Sequence, residues 1–260
     1  MNIVRFQIKK YFDKLANGDW QKFYGTEINR TTYNFLTRKS AVLKLLGDTA
    51  FTKVLDIGCG SGEYLDIVKQ CECQYYGIDF SEEMINRAVE KALSQQLSNT
   101  HLFVCEAEHL PFNENYFDLI LGIGLIEYFE DPIELISEIK RVLRPGGVLI
   151  MQSFQYSFYD VSQSLSCGVK SVFRKRAVMQ ENIGLKVFHR RHSKNSLDTL
   201  LQNNDFMVLD YAYNNFRVIP YPFESFFPKT YIRISERLTL FFPKRFGYFA
   251  ANYIGKYRRN

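Results

Sequence analysis

No run of about 18 apolar residues occurs in this sequence of 260 residues, so we expect no helix that spans a membrane. The first residues, Met1 to Phe6, lack the apolar core of a secretory signal peptide, which favours a cytoplasmic location. The five cysteines are an odd number, and Cys71 and Cys73 are too closely spaced for a CxxC pair. We therefore expect reduced thiols rather than a disulfide framework. The net charge of +5 is too small by itself to indicate nucleic-acid binding.

Residues 53–151 contain a regular alternation of short apolar runs and amphipathic segments. The apolar runs predict five strands, at 54–57, 74–79, 101–105, 117–121 and 148–151. The amphipathic segments between them predict helices. This alternation is typical of an α/β fold, in which a parallel sheet is covered on both faces by helices. The patterns at 206–213 and 252–257 predict two more strands, and residues 1–50 predict an N-terminal helical cap.

The first strand ends in a carboxylate and is followed by glycine at every second position: Asp56, then Gly58, Gly60 and Gly62. Glycine accepts positive φ and lets the backbone lie against a ligand. The dinucleotide fingerprint is GxGxxG, so GxGxG favours a nucleoside with an amino-acid tail over a dinucleotide. A second carboxylate, Asp79, ends the next strand, where it can accept hydrogen bonds from both hydroxyls of a ribose.

Two further loops follow the third and fourth strands. Glu106 and Ala107 can present a carboxylate and backbone groups to the edge of an adenine. Gly122 and Gly124 are small enough for a ligand to approach the backbone closely. All four loops follow the carboxyl ends of predicted parallel strands, which is where open α/β sheets bind ligands.

Residues 53–151 resemble class I S-adenosylmethionine-dependent methyltransferases of the small-molecule group with a type 11 methyltransferase domain. The stretches that carry the resemblance are VLDIGCGSGEY, GIDFSEEMI, EAEHLPF, FDLILGIGLIEYFEDP and LISEIKRVLRPGGVLIM. The resemblance implies a Rossmann-like, mostly parallel sheet of seven strands in the order 3-2-1-4-5-7-6, with the last strand antiparallel and an insertion before it. It also implies S-adenosylmethionine as the methyl donor and S-adenosylhomocysteine as the product.

The donor-binding residues implied by the resemblance lie after the first four strands: Asp56, Gly58, Cys59, Gly60, Gly62, Asp79, Phe80, Met84, Glu106, Ala107, Gly122 and Ile123. The first five would surround the methionine tail and ribose, and Asp79 would hold the ribose hydroxyls. The next four would contact the adenine, and the last two would line the methionine side. Tyr128 stands where the family often has histidine, and Glu106 stands where aspartate is usual.

No catalytic residue is assigned from the sequence, and the candidates are Tyr128, His189 and His192. Tyrosine, with a pKa near 10, is a poor base at neutral pH. The two histidines precede a predicted helix at 193–202, so they could bind the acceptor or remove its proton, or belong to a solvated basic turn. No carboxylate or cysteine lies beside them, so we expect no metal site. Trp20 and Tyr24 are candidates for contact with the acceptor or for simple packing.

Residues 51–260 are predicted to form the methyltransferase domain, with the donor-binding half at 51–151 and an acceptor lobe at 154–192 and 217–250. The aromatic residues of the lobe predict a small, hydrophobic or lipid-linked acceptor that is methylated on oxygen, carbon or nitrogen. The rival interpretations are a catalytically inactive binding module and an NAD-type oxidoreductase.

The C-terminal region is basic and aromatic, and no acid follows Glu236. Lysine and arginine side chains bind anionic lipid headgroups, and aromatic rings lie at the boundary between headgroups and acyl chains. This composition therefore predicts peripheral contact with a membrane or lipid. Packing of an insertion with solvated charges would produce the same composition. No nucleic-acid partner is expected.

Overall fold

The structure is a computed structural model, and it describes residues 3–18, 30–166, 177–182, 185–221, 223 and 226–260. Two helices come first, α1 (Ile3–Ala16) and α2 (Arg30–Leu46). None of the helices in the described part of the chain is long and apolar enough to cross a membrane.

Strands and helices then alternate as the apolar pattern predicts. The elements are β1 (Lys53–Ile57), α3 (Asp66–Cys71), β2 (Gln74–Asp79), α4 (Glu82–Ser94), β3 (Thr100–Val104), β4 (Phe117–Ile123), α5 (Ile133–Val142) and β5 (Leu143–Phe154). The second half contains α6 (Phe158–Ser166), β6 (Ala177–Asn182), β7 (Leu185–Arg190), α7 (Lys194–Gln202), β8 (Phe206–Phe216), α8 (Pro228–Phe241) and β9 (Ala250–Arg259).

Seven strands form one sheet in the order β3-β2-β1-β4-β5-β9-β8, and β6 and β7 pair separately as an antiparallel hairpin. Strands β1 to β5 are parallel to one another. Strand β9 is antiparallel to both β5 and β8. Counted along the chain without the hairpin, the sheet has the order 3-2-1-4-5-7-6, so the predicted topology is confirmed.

Local sequence explains why the helices on the sheet form. Ser81 caps α4 because its hydroxyl accepts a hydrogen bond from the Met84 amide at 3.2 Å. Glu82 and Glu83 then lie in the first turn, where the helix dipole favours negative charge. The strands between the helices are apolar on both faces, as β4 shows with every residue buried.

Helix α3 begins only at Asp66, nine residues after the end of β1. The reason is Gly62, whose φ of +77° lies in the left-handed region and cannot continue a right-handed helix. Residues 60–65 therefore form turns that carry the backbone past the end of β1.

The C-terminal region divides into two parts that the sequence composition does not separate. Residues 250–259 form β9, and its Tyr253 and Tyr257 are completely buried in the core of the sheet. Within residues 226–260, the exposed aromatic residues are confined to α8 and its flanks, residues 226–248, whereas exposed basic residues lie there and, as Arg258, also on β9. The predicted membrane-contact surface is thus shorter than the C-terminal stretch from which it was inferred.

Candidate active site

Two adjoining pockets open at the carboxyl ends of β1, β2, β4 and β5. The small pocket has a volume of about 80 Å³ and the large pocket has a volume of about 260 Å³. The residues that line both are Gly58, Asp79, Phe80, Leu125 and Tyr128. The pockets thus share one wall at the sheet edge where the sequence predicts ligand binding.

The glycine loop after β1 is fixed against β2 by backbone hydrogen bonds. The amides of Gly58 and Cys59 both donate to the Ile78 carbonyl, at 2.8 and 2.9 Å. Gly58 has a φ of +70°, and a Cβ built on it would lie 3.1 Å from a methyl carbon of Leu125. Glycine is therefore required at this position both by the backbone and by the close approach of the loop after β4. Burial raises the pKa of the Cys59 thiol, so this side chain is neutral.

Asp79 lies at the junction of the two pockets. Its carboxylate accepts hydrogen bonds from the Gly60 amide at 3.0 Å and from the Ser81 amide at 2.9 Å. Burial is the largest cause that raises its pKa to about 6, and these two amides oppose that shift. Because each carboxylate oxygen has more than one lone pair, the group can still accept hydrogen bonds from a ligand diol.

The small pocket is a mainly apolar slot between β1, β2 and the loop after β3. Phe80, Glu106 and Ala107, all predicted to contact adenine, lie on its wall. The sequence does not indicate that α1 closes this slot, yet Arg5 and Ile8 also line it. Arg5 forms ion pairs with Glu106, at 3.2 Å, and with Glu108.

The large pocket is lined by the glycine loop, by the loop after β4 and by aromatic side chains from both N-terminal helices. Cys59, Gly60 and Ile123, all predicted to bind the donor, lie on its wall. The aromatic residues on the wall are Tyr11, Phe12, Phe35, Tyr64, Phe80, Tyr128 and Phe154. The pocket therefore offers ring-shaped apolar surface together with exposed backbone.

Four of the predicted donor-binding residues do not lie on the wall of either pocket: Asp56, Gly62, Met84 and Gly122. Asp56 is buried and accepts a hydrogen bond from the Tyr75 hydroxyl at 2.6 Å. Met84 packs under α1, against Leu15 and Ala16. These residues support the pockets from behind, and their contact with a donor stays a prediction.

Gly62 and Gly122 both sit against buried side chains. A Cβ on Gly62 would lie 2.4 Å from a methyl carbon of Leu65, and a Cβ on Gly122 would lie 3.1 Å from the sulfur of Met151. In this structure, close packing therefore accounts for glycine at both positions.

The three candidate catalytic residues lie at different distances from the two pockets. Tyr128 lines both pockets, and burial raises its pKa well above the ordinary value. His189 lies behind it, with ring centroids 5.3 Å from Tyr128 and 5.2 Å from Phe154. His192 is buried elsewhere, in a shallow pocket with Arg190 and Ser196.

The pKa values of His189 and His192 are both lowered to about 4, chiefly by burial and secondarily by a neighbouring arginine. Both imidazoles are therefore neutral near pH 7. Of the three candidates, only Tyr128 lies on the wall of the small or the large pocket. Trp20 and Tyr24, the candidates for acceptor contact, lie outside the described residues.

A polar cluster at the large pocket escapes the sequence analysis. It comprises Arg38 from α2, Glu127 from the loop after β4 and Gln152 from β5. A Cβ built on Gly124 would lie 3.2 Å from Arg38 Nη1, 3.6 Å from Glu127 Oε1 and 3.7 Å from Gln152 Oε1. Two signals could have indicated the cluster: an acid within GLIEYF and an amide within the apolar strand VLIMQSF.

Residues 55–151 match the sequence model of the family described as "Methyltransferase domain". A demethylmenaquinone methyltransferase from Listeria monocytogenes is 33% identical over 139 residues, which are 52% of this chain and 55% of that protein. The chain spans about half the length of the curated relatives it matches.

Two solved structures share the fold over most of their length. Magnesium protoporphyrin IX methyltransferase from Synechocystis, with bound S-adenosylhomocysteine, has a TM-score of 0.64 at 16% identity, covering 97% of this chain and 98% of its own. The 1,6-didemethyltoxoflavin N1-methyltransferase from Burkholderia thailandensis has a TM-score of 0.63 at 15% identity, covering 98% and 88%. The family match spans the glycine loop and the Asp79 junction, and the solved structures share the fold.

Proposed function

We propose that this chain, whose residues 55–151 form a class I methyltransferase domain, transfers a methyl group from S-adenosylmethionine to a small apolar acceptor of the quinone type. The observation that carries the proposal is the Asp79 junction, where one buried carboxylate lies beside the glycine loop and borders two pockets. A donor with a base, a ribose and an amino-acid tail needs such a divided site.

The residues present fit the donor. The small pocket has the apolar walls and the carboxylate edge that an adenine requires, and Asp79 can accept from ribose hydroxyls. The methionine tail would run along Gly58 to Gly60, whose backbone borders the large pocket. When bound, the donor supplies an electrophilic methyl group on a sulfonium. The protein would then align the acceptor with this methyl group and exclude water.

The quinone-type acceptor is supported by two independent observations. The curated relative with 33% identity over 139 residues is a demethylmenaquinone methyltransferase. The large pocket also has aromatic side chains from α1, α2, β5 and the loops after β1, β2 and β4 on its wall, which suits a planar apolar ring better than a charged metabolite. Which atom of the acceptor receives the methyl group is left to the experiment.

We further propose that α8 and its flanks contact an anionic membrane surface, from which an apolar acceptor would enter. Phe227 and Phe241, at the two ends of α8, are 58% and 72% exposed. Arg233 and Arg237 are exposed on the helix between them, one turn apart. Exposed rings with cations on the same helix suit the boundary of anionic lipid headgroups and acyl chains.

The proposed function is tested with purified protein, methyl-labelled S-adenosylmethionine and two acceptors. These are a reduced naphthoquinone with a short isoprenoid chain and a small polar amine such as ethanolamine. We expect the label to enter the quinol and the product to extract into organic solvent. Turnover of the amine with none of the quinol would overturn the proposed acceptor class.

Asp79→Ala is the donor-binding control. Loss of hydrogen bonds to a charged group costs about 1.5–3 kcal/mol, so S-adenosylhomocysteine should bind roughly 10- to 150-fold more weakly to this variant. Unchanged affinity would refute the ribose assignment.

Titration with NADH tests the oxidoreductase alternative. Tight S-adenosylhomocysteine binding without turnover of any acceptor would indicate an inactive binding module.

A further inference from the structure

Glu127 is a fully buried acid on the wall of the large pocket, and neither of its carboxylate oxygens has a hydrogen-bond partner. Burying a carboxylate without partners is costly, and most buried polar atoms in native proteins are paired. An unpaired acid that faces a pocket of about 260 Å³ is therefore an acceptor for a hydrogen bond that a ligand would supply.

Gln152 does not line this pocket, but it is a second unpaired polar residue next to Glu127. It is completely buried, and neither its amide nitrogen nor its carbonyl oxygen has a hydrogen-bond partner. Its Oε1 and Glu127 Oε1 both lie within 4 Å of the position that a Gly124 Cβ would occupy. Two unpaired polar side chains from different elements thus converge at one point, beside an apolar aromatic wall.

We infer that Glu127 receives the hydroxyl group of the acceptor and takes its proton during methyl transfer, while Gln152 orients that hydroxyl. This inference rests on the proposed function and adds to it the class of acceptor group, a hydroxyl on an aromatic ring. A ring hydroxyl supplies the missing donor, and the ring itself suits the aromatic wall.

The chemical step balances as follows. The O–H bond of the acceptor breaks and its proton passes to a carboxylate oxygen of Glu127, which leaves the electron pair on the ring system. That pair forms the new bond to the methyl group, and the bond from sulfur to methyl breaks. The sulfonium becomes a neutral thioether, and Glu127 later releases the proton to solvent.

The charged and titratable groups around Glu127 leave it as the suitable base. Asp79 is engaged by two backbone amides. Glu63 accepts from the Ser61 hydroxyl at 2.6 Å and lies 3.7 Å from the Lys91 ammonium. The pKa of Tyr128 is raised well above its ordinary value, so its hydroxyl does not ionise near neutral pH. The pKa of His189 is lowered to about 4, which makes it a weaker base, and its ring lies behind Tyr128.

The pKa of Glu127 itself is raised to about 7, chiefly by burial, and its own backbone amide and then the Arg38 guanidinium oppose this shift. General bases work best with a pKa near the working pH. A bound sulfonium cation would add to the effect of Arg38 and favour the ionised carboxylate. Geometry and charge therefore agree on the same residue.

The first test compares Glu127→Gln with the wild type on the reduced naphthoquinone. Glutamine can still accept the hydroxyl hydrogen bond but cannot take a proton, so kcat should fall about 100-fold with little change in KM. The wild-type kcat/KM should also fall as the pH drops through about 7, and this inflection should be absent in the variant. Glu130→Gln, an exposed acid in the same segment, is the matched control and should retain wild-type activity.

Two results would overturn the inference. One is a Glu127→Gln variant with activity within about threefold of the wild type, well short of what a general base contributes. The other is more than tenfold weaker binding of S-adenosylhomocysteine, which would assign Glu127 to the donor.

A binding test separates this inference from the acceptor class. The probes are 2-naphthol and 2-methoxynaphthalene, titrated into the complex with S-adenosylhomocysteine. Wild-type protein should bind the naphthol about tenfold more tightly, and Glu127→Met should remove that preference. If the preference is found but the quinol is not methylated, the proposed acceptor is wrong and the hydroxyl site stands. If the quinol is methylated but no preference is found, the hydroxyl site is overturned and the proposed function stands.

Discussion

Buried carboxylates with raised pKa values surround the glycine loop. Asp56 lies at the end of β1, Asp79 lies at the end of β2 and Glu127 follows β4, and burial is the largest cause of the shift in each. A folded protein gains little from such groups at neutral pH, because burial opposes their ionisation. Three carboxylates with raised pKa values at one edge of the sheet indicate a binding site.

The effect of burying a carboxylate on the free energy of unfolding can be measured at Asp56. Its pKa is raised to about 7, whereas the unfolded chain titrates near 3.9. Between these values the folded state holds the proton and the unfolded state has released it, so stability falls as the pH rises from about 4 to 7. Asp56→Asn keeps an acceptor for the Tyr75 hydroxyl without the charge. The variant should therefore be more stable, relative to wild type, at pH 8 than at pH 5, by about 2–3 kcal/mol.

Denaturant unfolding of both proteins at the two pH values checks this expectation. Asp48→Asn is the matched control, since Asp48 is exposed and should show no pH-dependent difference. If the free energies of Asp56→Asn and wild type run parallel from pH 5 to pH 8, Asp56 is ionised in the folded protein and the expectation is wrong.

At the scale of elements, α1 is the part that covers both pockets. Arg5 and Ile8 line the small pocket, while Tyr11, Phe12 and Leu15 line the large one. A hydrogen bond of 2.6 Å from the Ser81 hydroxyl to Asp13 fixes the helix to the start of α4. Few other elements hold it in place, because its contacts are concentrated on α4 and β7.

Donor binding should therefore stabilise α1. We expect the backbone amides of Ile3–Ala16 to exchange hydrogen at least about tenfold more slowly when S-adenosylhomocysteine is bound, because a ligand that fills the pockets adds contacts to the helix. Mass spectrometry of deuterium uptake measures this change. No residue of α5 lies on the wall of either pocket, so the backbone amides of α5 provide the internal reference. Equal exchange of α1 with and without ligand would show that the helix does not close the site.

The elements divide into those that the sequence predicts well and those that it does not. Strands β1 and β4 and the glycine loop are predictable because their signals are local: an apolar run, then glycine at positions of positive φ. The position of α1 is not predictable, because its apolar face could pack on several surfaces. Its contact with Met84 is one that the sequence does not indicate.

At the scale of the whole molecule, α8 and its flanks form the surface that we expect to meet lipid. Phe241→Ala removes an exposed ring and should weaken binding to vesicles of phosphatidylcholine with phosphatidylglycerol about tenfold, since burying such a ring contributes roughly 1.5–3 kcal/mol. Binding should also weaken as salt increases, because Arg233 and Arg237 act through screened charge.

Co-sedimentation with vesicles measures both effects. Leu93→Ala is the matched control, because Leu93 is 73% exposed on α4. Wild-type protein that stays in the supernatant, or a Leu93 variant that weakens binding as much as Phe241→Ala, would contradict the proposed surface.

The polar cluster at the large pocket also belongs to the whole-molecule scale. Arg38, Glu127 and Gln152 come from α2, the loop after β4 and β5, and meet only because the sheet and the N-terminal helices pack together. Sequence spacing carries no information about such a meeting. The residues proposed to bind the donor were inferred from local motifs, whereas the cluster proposed to meet the acceptor required the assembled fold.

The insertion of β9 between β5 and β8 has a consequence for how the acceptor side can change. Gln155, just after β5, donates a hydrogen bond from its side-chain amide to the Ala250 carbonyl at 2.9 Å, across 95 positions of sequence. The chain between them includes α7 and β8, and doubling the length of a flexible connection between such elements costs only about 0.6 kcal/mol of closure entropy. These connections can therefore lengthen while the sheet keeps its order, and none of the described residues between Gln155 and Ala250 lies on the wall of either pocket.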